Sequence, residues 1–169
     1  MKNNKIINTC LEVTELSFGT SSLGSMPDTY GYEVPEERAQ DTLKRFFKGP
    51  VNLLDTSRNY AMGESEKRIG RAIKENGGWP SDFILSTKID RNMETLVLDK
   101  SRTRESIEES LKTLNVDSVD ILFLHDPEYV KDIKDVTKEN GAMDELFKIK
   151  EEGLAKAVGL AMGKVDIMF

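Results

Sequence analysis

The sequence predicts an α/β fold built on a parallel sheet, and three observations carry that expectation. Short apolar segments rich in β-branched residues alternate with longer segments of helical period. The strand starts recur about 32 to 38 residues apart, the length of one strand and one crossover helix. No low-complexity tract or linker interrupts the alternation, so residues 1–169 read as a single domain.

In chain order, a weak strand at 6–13 precedes the first unit, and a β-type run at 16–21 opens it. A helix over 35–48 follows, with Pro35 suited to a first turn and Gly49 to a stop. The next units are strand 51–56 with helix 64–76, stopped at Gly77, and strand 83–88 with helix 103–115. In that last helix Ile107, Ser110, Leu111 and Leu114 share one face, while Glu105, Glu108, Glu109 and Lys112 fall mostly elsewhere. Strand 119–125, helix 142–152 with Gly153 as its stop, and strand 157–161 complete the series. The seven Met are expected as core filler, Cys10 as a small core or loop residue, and the acidic run at 105–109 as a solvated helix face.

Five such units admit two architectures. A doubly wound open sheet suits a chain of this length, whereas a (β/α)8 barrel usually needs about 250 residues. The first loop favours the barrel. Gly19-Thr20-Ser21-Ser22-Leu23-Gly24 runs into about ten further loop residues before Pro35, instead of directly into a helix as in a nucleotide-binding open sheet. The Gly-x-Gly-x-x-Gly fingerprint and the Walker P-loop are both absent.

Composition removes several functions. With 24 Lys and Arg against 30 Asp and Glu, the formal net charge is −6 and no basic stripe faces a nucleic acid. No apolar run approaches the roughly 18 to 20 residues of a membrane span, and the first residues lack a secretory apolar core. One Cys makes neither an internal disulfide nor a thiolate zinc site, and one His excludes a multi-histidine metal site within this chain. A soluble, cytoplasmic protein without nucleic-acid or membrane partners is expected.

Polar residues recur at the carboxyl ends of the strands, where parallel α/β folds assemble their sites. Asp55 closes Val51-Asn52-Leu53-Leu54, Lys88 closes Phe83-Ile84-Leu85-Ser86-Thr87, and His125 closes Ile121-Leu122-Phe123-Leu124. Neighbouring strands lie about 4.8 Å apart, so sequential pairing would set Lys88 between Asp55 and His125. Tyr60 follows on a loop at the same edge. Each has a structural alternative: Asp55 could cap the following turn, and Tyr60 and His125 could simply pack. Lys88 is harder to explain structurally, because a charge ending a buried strand costs several kcal/mol unless paired.

These residues carry a resemblance to the aldo-keto reductases. It rests on Gly19-Thr20, Leu54-Asp55-Thr56 followed by Tyr60, Gly63-Glu64-Ser65-Glu66 with Ile69-Gly70, Ser86-Thr87-Lys88, Asp120-Ile121-Leu122 through His125, and Val158-Gly159-Leu160. His125-Asp126-Pro127-Glu128 looks most like the branch of aldose and pyridoxal dehydrogenases. The resemblance implies an incomplete (β/α)8 barrel of the TIM type, of which this chain would supply the amino-terminal portion. It implies NADP or NAD as cofactor, with Gly19, Thr20 and Asp55 on the cofactor side, and a sugar or aldehyde substrate at Tyr60 and His125. A free tyrosine titrates near about 10. The Lys88 ammonium, held by Asp55, would stabilise the Tyr60 phenolate while Tyr60 exchanges the proton on oxygen, and His125 would donate a hydrogen bond to the substrate oxygen.

Two departures stand out. Many members carry a Ser-Asn pair after the fifth strand that holds the nicotinamide carboxamide, and the positions here are Ala161 and Met162. The run Gly163-Lys164-Val165-Asp166-Ile167-Met168-Phe169 looks like the start of a fifth helix. An open arc of five strands would expose two sheet edges, so self-association through barrel edges is expected. Two other functions compete: a non-catalytic half-barrel that binds or regulates, and a metal-dependent barrel hydrolase using Asp55, Asp90, His125 and Asp126. The second is disfavoured because such sites draw on several His ligands; no metal is expected. Asp126 is expected to serve a turn with Pro127.

Overall fold

The computed structural model describes residues 2–164. It opens with an antiparallel hairpin, β1 (Asn3–Lys5) and β2 (Glu12–Thr14), pairing Asn3 with Thr14 and Lys5 with Glu12. The single strand expected over 6–13 is therefore not formed. Asn8 turns the chain with φ 61°, and the Thr9 hydroxyl closes the turn on the Ile6 carbonyl at 2.8 Å. Asn52 fastens this hairpin to the sheet: its Oδ1 accepts the Thr14 N–H at 2.9 Å and its Nδ2 donates to the Glu12 carbonyl at 2.9 Å. Leu11 is thereby pressed against Ile84 and Ile121 on the inner face.

The sheet contains β3 (Phe18–Gly19), β4 (Leu53–Asp55), β5 (Ile84–Ile89), β6 (Val119–His125) and β7 (Ala155–Ala161), all parallel and paired in that sequence. This order separates the two architectures. A doubly wound sheet reverses direction at its switch point, so strand order departs from chain order. Sequential parallel pairing with right-handed crossovers on one face is the wall of a (β/α)8 barrel. The open sheet that chain length favours is thus overturned, and five units of an incomplete barrel stand in its place.

The helical segments are α1 (Pro27–Tyr30), α2 (Glu36–Phe46), α3 (Glu64–Glu75), α4 (Lys100–Leu114), α5 (Lys134–Thr137) and α6 (Ala142–Glu151). The long ones form one layer, α2 on α3, α3 on α4 and α4 on α6. Each buries the stripe its period marks out, such as Ala39, Leu43 and Phe46 in α2 or Ser106, Ile107, Ser110 and Leu114 in α4. Fully burying each Leu or Ile stabilises the layer by roughly 1.5–3 kcal/mol. Glu105, Glu108 and Glu109 remain on the exposed face.

Boundaries shift for local reasons. Helix α4 begins at Lys100 because Asp99 caps it, accepting the Arg102 N–H at 2.9 Å. Pro35 sits at the N-cap of α2 instead of in its first turn. Strand β3 is only two residues long, while β7 starts at Ala155, earlier than its apolar run. The methionines are not uniformly core filler, since Met62 and Met93 are 89% and 53% exposed. Cys10 lies exposed beside β2. Of the expected fifth helix, residues 165–169 lie outside the described residues.

Two contacts bind α3 to its neighbours. A Cβ at Gly70 would collide with the Thr113 carbonyl oxygen at the end of α4. Glu66, fully buried, accepts a 2.7 Å hydrogen bond from the Thr87 hydroxyl of β5 through Oε1, while Oε2 has no hydrogen-bond partner among the described residues. Burial pushes the Glu66 carboxyl up from 4.5 to about 7, against the opposing pull of the Thr87 bond.

Two predictions follow from these helix contacts. Gly70→Ala should lower stability by about 1–3 kcal/mol, as backbone overpacking does, and equal urea midpoints for variant and wild type would contradict it. Between pH 4.5 and about 7 the folded protein binds more protons at Glu66 than the unfolded chain, so this group's contribution falls as pH rises through that window. Glu66→Gln removes the slope. Its stability relative to wild type should improve by roughly 3 kcal/mol from pH 4.5 to 8, whereas parallel stability curves would count against the assignment.

Candidate active site

Strand register decides which polar side chains meet. Asp55 of β4 lies level with Ser86, and Lys88 of β5 lies level with Phe123. Alternation then puts Ser86 and Lys88 on the same inner face as Asp55. The Lys88 ammonium is 6% exposed and places its three protons on three oxygens: Asp55 Oδ2 at 2.6 Å, the Thr56 carbonyl at 2.7 Å and Tyr60 Oη at 3.1 Å. Asp55 Oδ1 accepts from the Ser86 hydroxyl at 2.8 Å, which orients the carboxylate toward the ammonium. Asp55 thus serves Lys88, and no side-chain cap from it to the turn ahead is formed.

Tyr60 begins an irregular, kinked turn, Tyr60–Gly63, that leads into α3. Ala61 and Met62 adopt left-handed conformations there, with φ 50° and 54°. Such residues cost about 1–2 kcal/mol each, and the flanks hold the turn in place. The Tyr60 N–H reaches the Ser57 carbonyl at 3.1 Å, and the Ser65 hydroxyl, fully buried, donates to the Thr20 carbonyl at 2.9 Å. Because Oη already accepts from Lys88, the phenolic proton is left to donate outward. Among the described residues Tyr60 Oη has no second hydrogen-bond partner.

His125 closes β6 two residues beyond Phe123, the residue level with Lys88. Ile89 faces Leu124 in register, so the residue level with His125 is Asp90. Its Oδ1 lies 2.6 Å from His125 Nδ1, and its Oδ2 accepts the Ser57 hydroxyl at 2.7 Å and the Asn59 N–H at 2.9 Å. The Tyr60 and His125 rings meet edge to face with centroids 5.9 Å apart. Asp55, Tyr60, Lys88 and His125 are therefore gathered at one end of the sheet, with Ser57 and Asp90 behind them.

The other expected residues are placed as follows. Gly19 pairs with Asp55 at the sheet's edge, and the space a Cβ would occupy there is open. Thr20 is buried, its hydroxyl donating to the Asp55 carbonyl at 2.9 Å. Asp126 turns the chain in a left-handed conformation ahead of the 3₁₀ turn Pro127–Tyr129, and its Oδ2 stays 3.9 Å from His125 Nε2. The metal alternative meets a different arrangement: Asp55 is committed to Lys88, and Asp90 is hydrogen-bonded to His125. Ser57 and Ser86 were not anticipated, and Asp90 only as a metal ligand. Their signal was the strand period, since positions 55 and 57, and 86, 88 and 90, share one face.

A neutral phenol with a free O–H beside a lysine ammonium can exchange a proton with a substrate oxygen. Open space at Gly19, next to a half-buried Asp55, leaves room for a flat cofactor ring at the same mouth. The residues present thus fit a nicotinamide, though Ala161 and Met162 offer it no amide or hydroxyl group.

The profile of the aldo/keto reductase family matches residues 15–168. L-galactose dehydrogenase of Arabidopsis thaliana is 36% identical over 160 residues, covering 95% of this chain and 48% of that protein. D-threo-aldose 1-dehydrogenase of a Pseudomonas species is 27% identical over 175 residues, covering 89% of this chain and 50% of that protein. The holo form of an aldo-keto reductase from Bacillus halodurans superposes with a TM-score of 0.79 at 26% identity, covering 99% of this chain and 52% of that one. The chain spans about half the length of the relatives it matches. Sequential barrel strands, the residues gathered at their carboxyl ends and a match over nearly the whole chain lead to one conclusion: the chain belongs to the aldo-keto reductase family.

Proposed function

We propose that this chain carries the proton-transfer site of an NAD(P)-dependent oxidoreductase that acts on an aldose or a simple aldehyde, with Tyr60 as general acid and base. One observation carries the reading. Lys88 spends all three ammonium protons on Asp55, Thr56 and Tyr60 Oη, so the phenolic proton is the mobile one. Lys88's hydrogen bond to Oη strengthens as that oxygen gains negative charge. Tyr60 therefore gives its proton readily to a substrate oxygen and holds the resulting phenolate until the reverse transfer. Asp55 keeps the ammonium oriented, and Gly19, Thr20 and Asp55 would border the cofactor. The nicotinamide, when bound, supplies or accepts the hydride. The resemblance to L-galactose and D-threo-aldose dehydrogenases supports an aldose as substrate. A cytoplasmic location suits the unpaired Cys10, and no helix among the described residues is long and apolar enough to cross a membrane.

Among the described residues β3 and β7 each pair on one side only, and with Leu160 of β7 40% exposed these edges favour association of the 169-residue chain with itself. Sedimentation should show species larger than a monomer, and a monodisperse monomer would argue against it. Tyr60→Phe should lower kcat for sugar or aldehyde by about 100-fold or more, the usual worth of a general acid or base, with the circular dichroism unchanged. Undiminished turnover would remove the catalytic assignment.

A further inference from the structure

Asp90 lies behind His125, and its hydrogen bonds decide which ring nitrogen carries the proton. Three donors converge on this carboxylate, which is 3% exposed. The Ser57 hydroxyl at 2.7 Å and the Asn59 N–H at 2.9 Å share Oδ2, leaving Oδ1 to His125 Nδ1 at 2.6 Å. A carboxylate is an acceptor only, and imidazole is the stronger base by about two to three pH units, so the proton of this bond sits on Nδ1. The Ser57 oxygen, 3.2 Å from Nδ1, agrees, because its own hydrogen is committed to Asp90. In the uncharged ring Nε2 then carries a lone pair. The groups around the ring are Asp90 at Nδ1, the Asp126 carboxylate 3.9 Å from Nε2 and beyond hydrogen-bond reach, Ser57, and Tyr60 with Lys88 behind it.

We infer that Asp90 is a positioning residue that locks His125 in the Nδ1–H form, so that the uncharged ring recognises the hydroxyl form of the substrate at Nε2 and only the imidazolium recognises the carbonyl form. This corrects the simple expectation that His125 donates to the substrate oxygen. A sugar hydroxyl bound beside the neutral phenol accepts from the Tyr60 O–H and donates its own hydrogen to Nε2; for oxidation that hydrogen turns to the Tyr60 phenolate. A carbonyl oxygen has no hydrogen to offer and meets the lone pair unpaired. The substrate part of this inference rests on the reaction proposed above; the tautomer does not.

The same geometry predicts what Asp90→Asn does. The Ser57 and Asn59 donors hold the amide oxygen at the Oδ2 position, so the amide NH2 falls opposite Nδ1 and donates to it. The proton must then move to Nε2.

The chain contains one histidine, so a 15N-labelled sample of the 169-residue chain gives a single imidazole signal set in long-range 1H–15N correlation spectra. With the ring uncharged, wild type should show a pyrrole-type shift at Nδ1 and a pyridine-type shift at Nε2, and Asp90→Asn should exchange them. Asp90→Asn should lower KM for the carbonyl substrate by roughly tenfold, one recovered hydrogen bond, and raise KM for the hydroxyl substrate, whose hydrogen loses its acceptor at Nε2. A pyrrole-type Nε2 in wild type overturns the inference and needs no variant to fold, and unexchanged signals in a folded Asp90→Asn overturn it as well. An active Tyr60→Phe beside a wild-type Nδ1–H ring would instead sink the proposed reaction and leave the tautomer standing.

Discussion

The burial of one ammonium group organises this end of the sheet. Lys88 has almost no contact with solvent, and taking such a charge out of water costs several kcal/mol unless every proton finds an acceptor. The acceptors come from three separate places: the side chain that ends β4, the peptide carbonyl just beyond it, and the phenol of the turn leading into α3. Satisfying Lys88 thus requires β4 and β5 to be neighbours in the observed register and the Tyr60 turn to fold back over them. A stabilising requirement and a chemical one coincide, because the same ammonium that must be neutralised is the group that supports charge on the phenol oxygen.

A second network, two residues further along, joins the adjacent strands. Asp90 gathers Ser57, Asn59 and His125, so the loop that carries Tyr60 is anchored at its start by Asp90 and at its end by the Ser65 bond to Thr20. Between these anchors the chain accepts three consecutive left-handed residues, Ala61, Met62 and Gly63, of which only the last is glycine. Strain of that kind persists only where the surroundings over-determine the backbone. The two networks use different strands for their acceptors and share the 57–60 segment, which couples the phenol to the imidazole through the backbone.

Below the site, the wall depends on close approach and on unevenly satisfied polar groups. Gly70 allows α3 and α4 backbones to touch, and Glu66 reaches from α3 to Thr87 in the layer between helices and sheet. On the inner face the β1–β2 hairpin closes the amino-terminal end through Leu11, so apolar contact lies at one end of the strands and the polar network at the other. Asn52 makes this possible by binding the hairpin with its side chain while its carbonyl accepts the Ile84 N–H at the foot of β4.

Much of this was legible in the sequence. The βα alternation located all five sheet strands and the four long helices, since burial on both sides of a strand and on one side of a helix writes itself into residue type at different periods. Asp55, Lys88 and His125 stood out because charged and polar groups are costly at the ends of apolar runs. The amino-terminal hairpin was not legible, as Ile6, Leu11 and Val13 resemble one short strand until the Asn8 turn is known. Strand order was not legible either, and it separated barrel wall from open sheet where length pointed the wrong way. The partner of His125 was decided by register alone: sequential strand pairing set Lys88 on the neighbouring strand, and the pairing of Ile89 with Leu124 brought Asp90 level with the imidazole. The sequence by itself determined which residues could carry chemistry, because that follows from side-chain type and strand period. Only the tertiary structure decided which of them share a proton, because hydrogen bonds depend on placements of a fraction of an ångström that strand pairing sets.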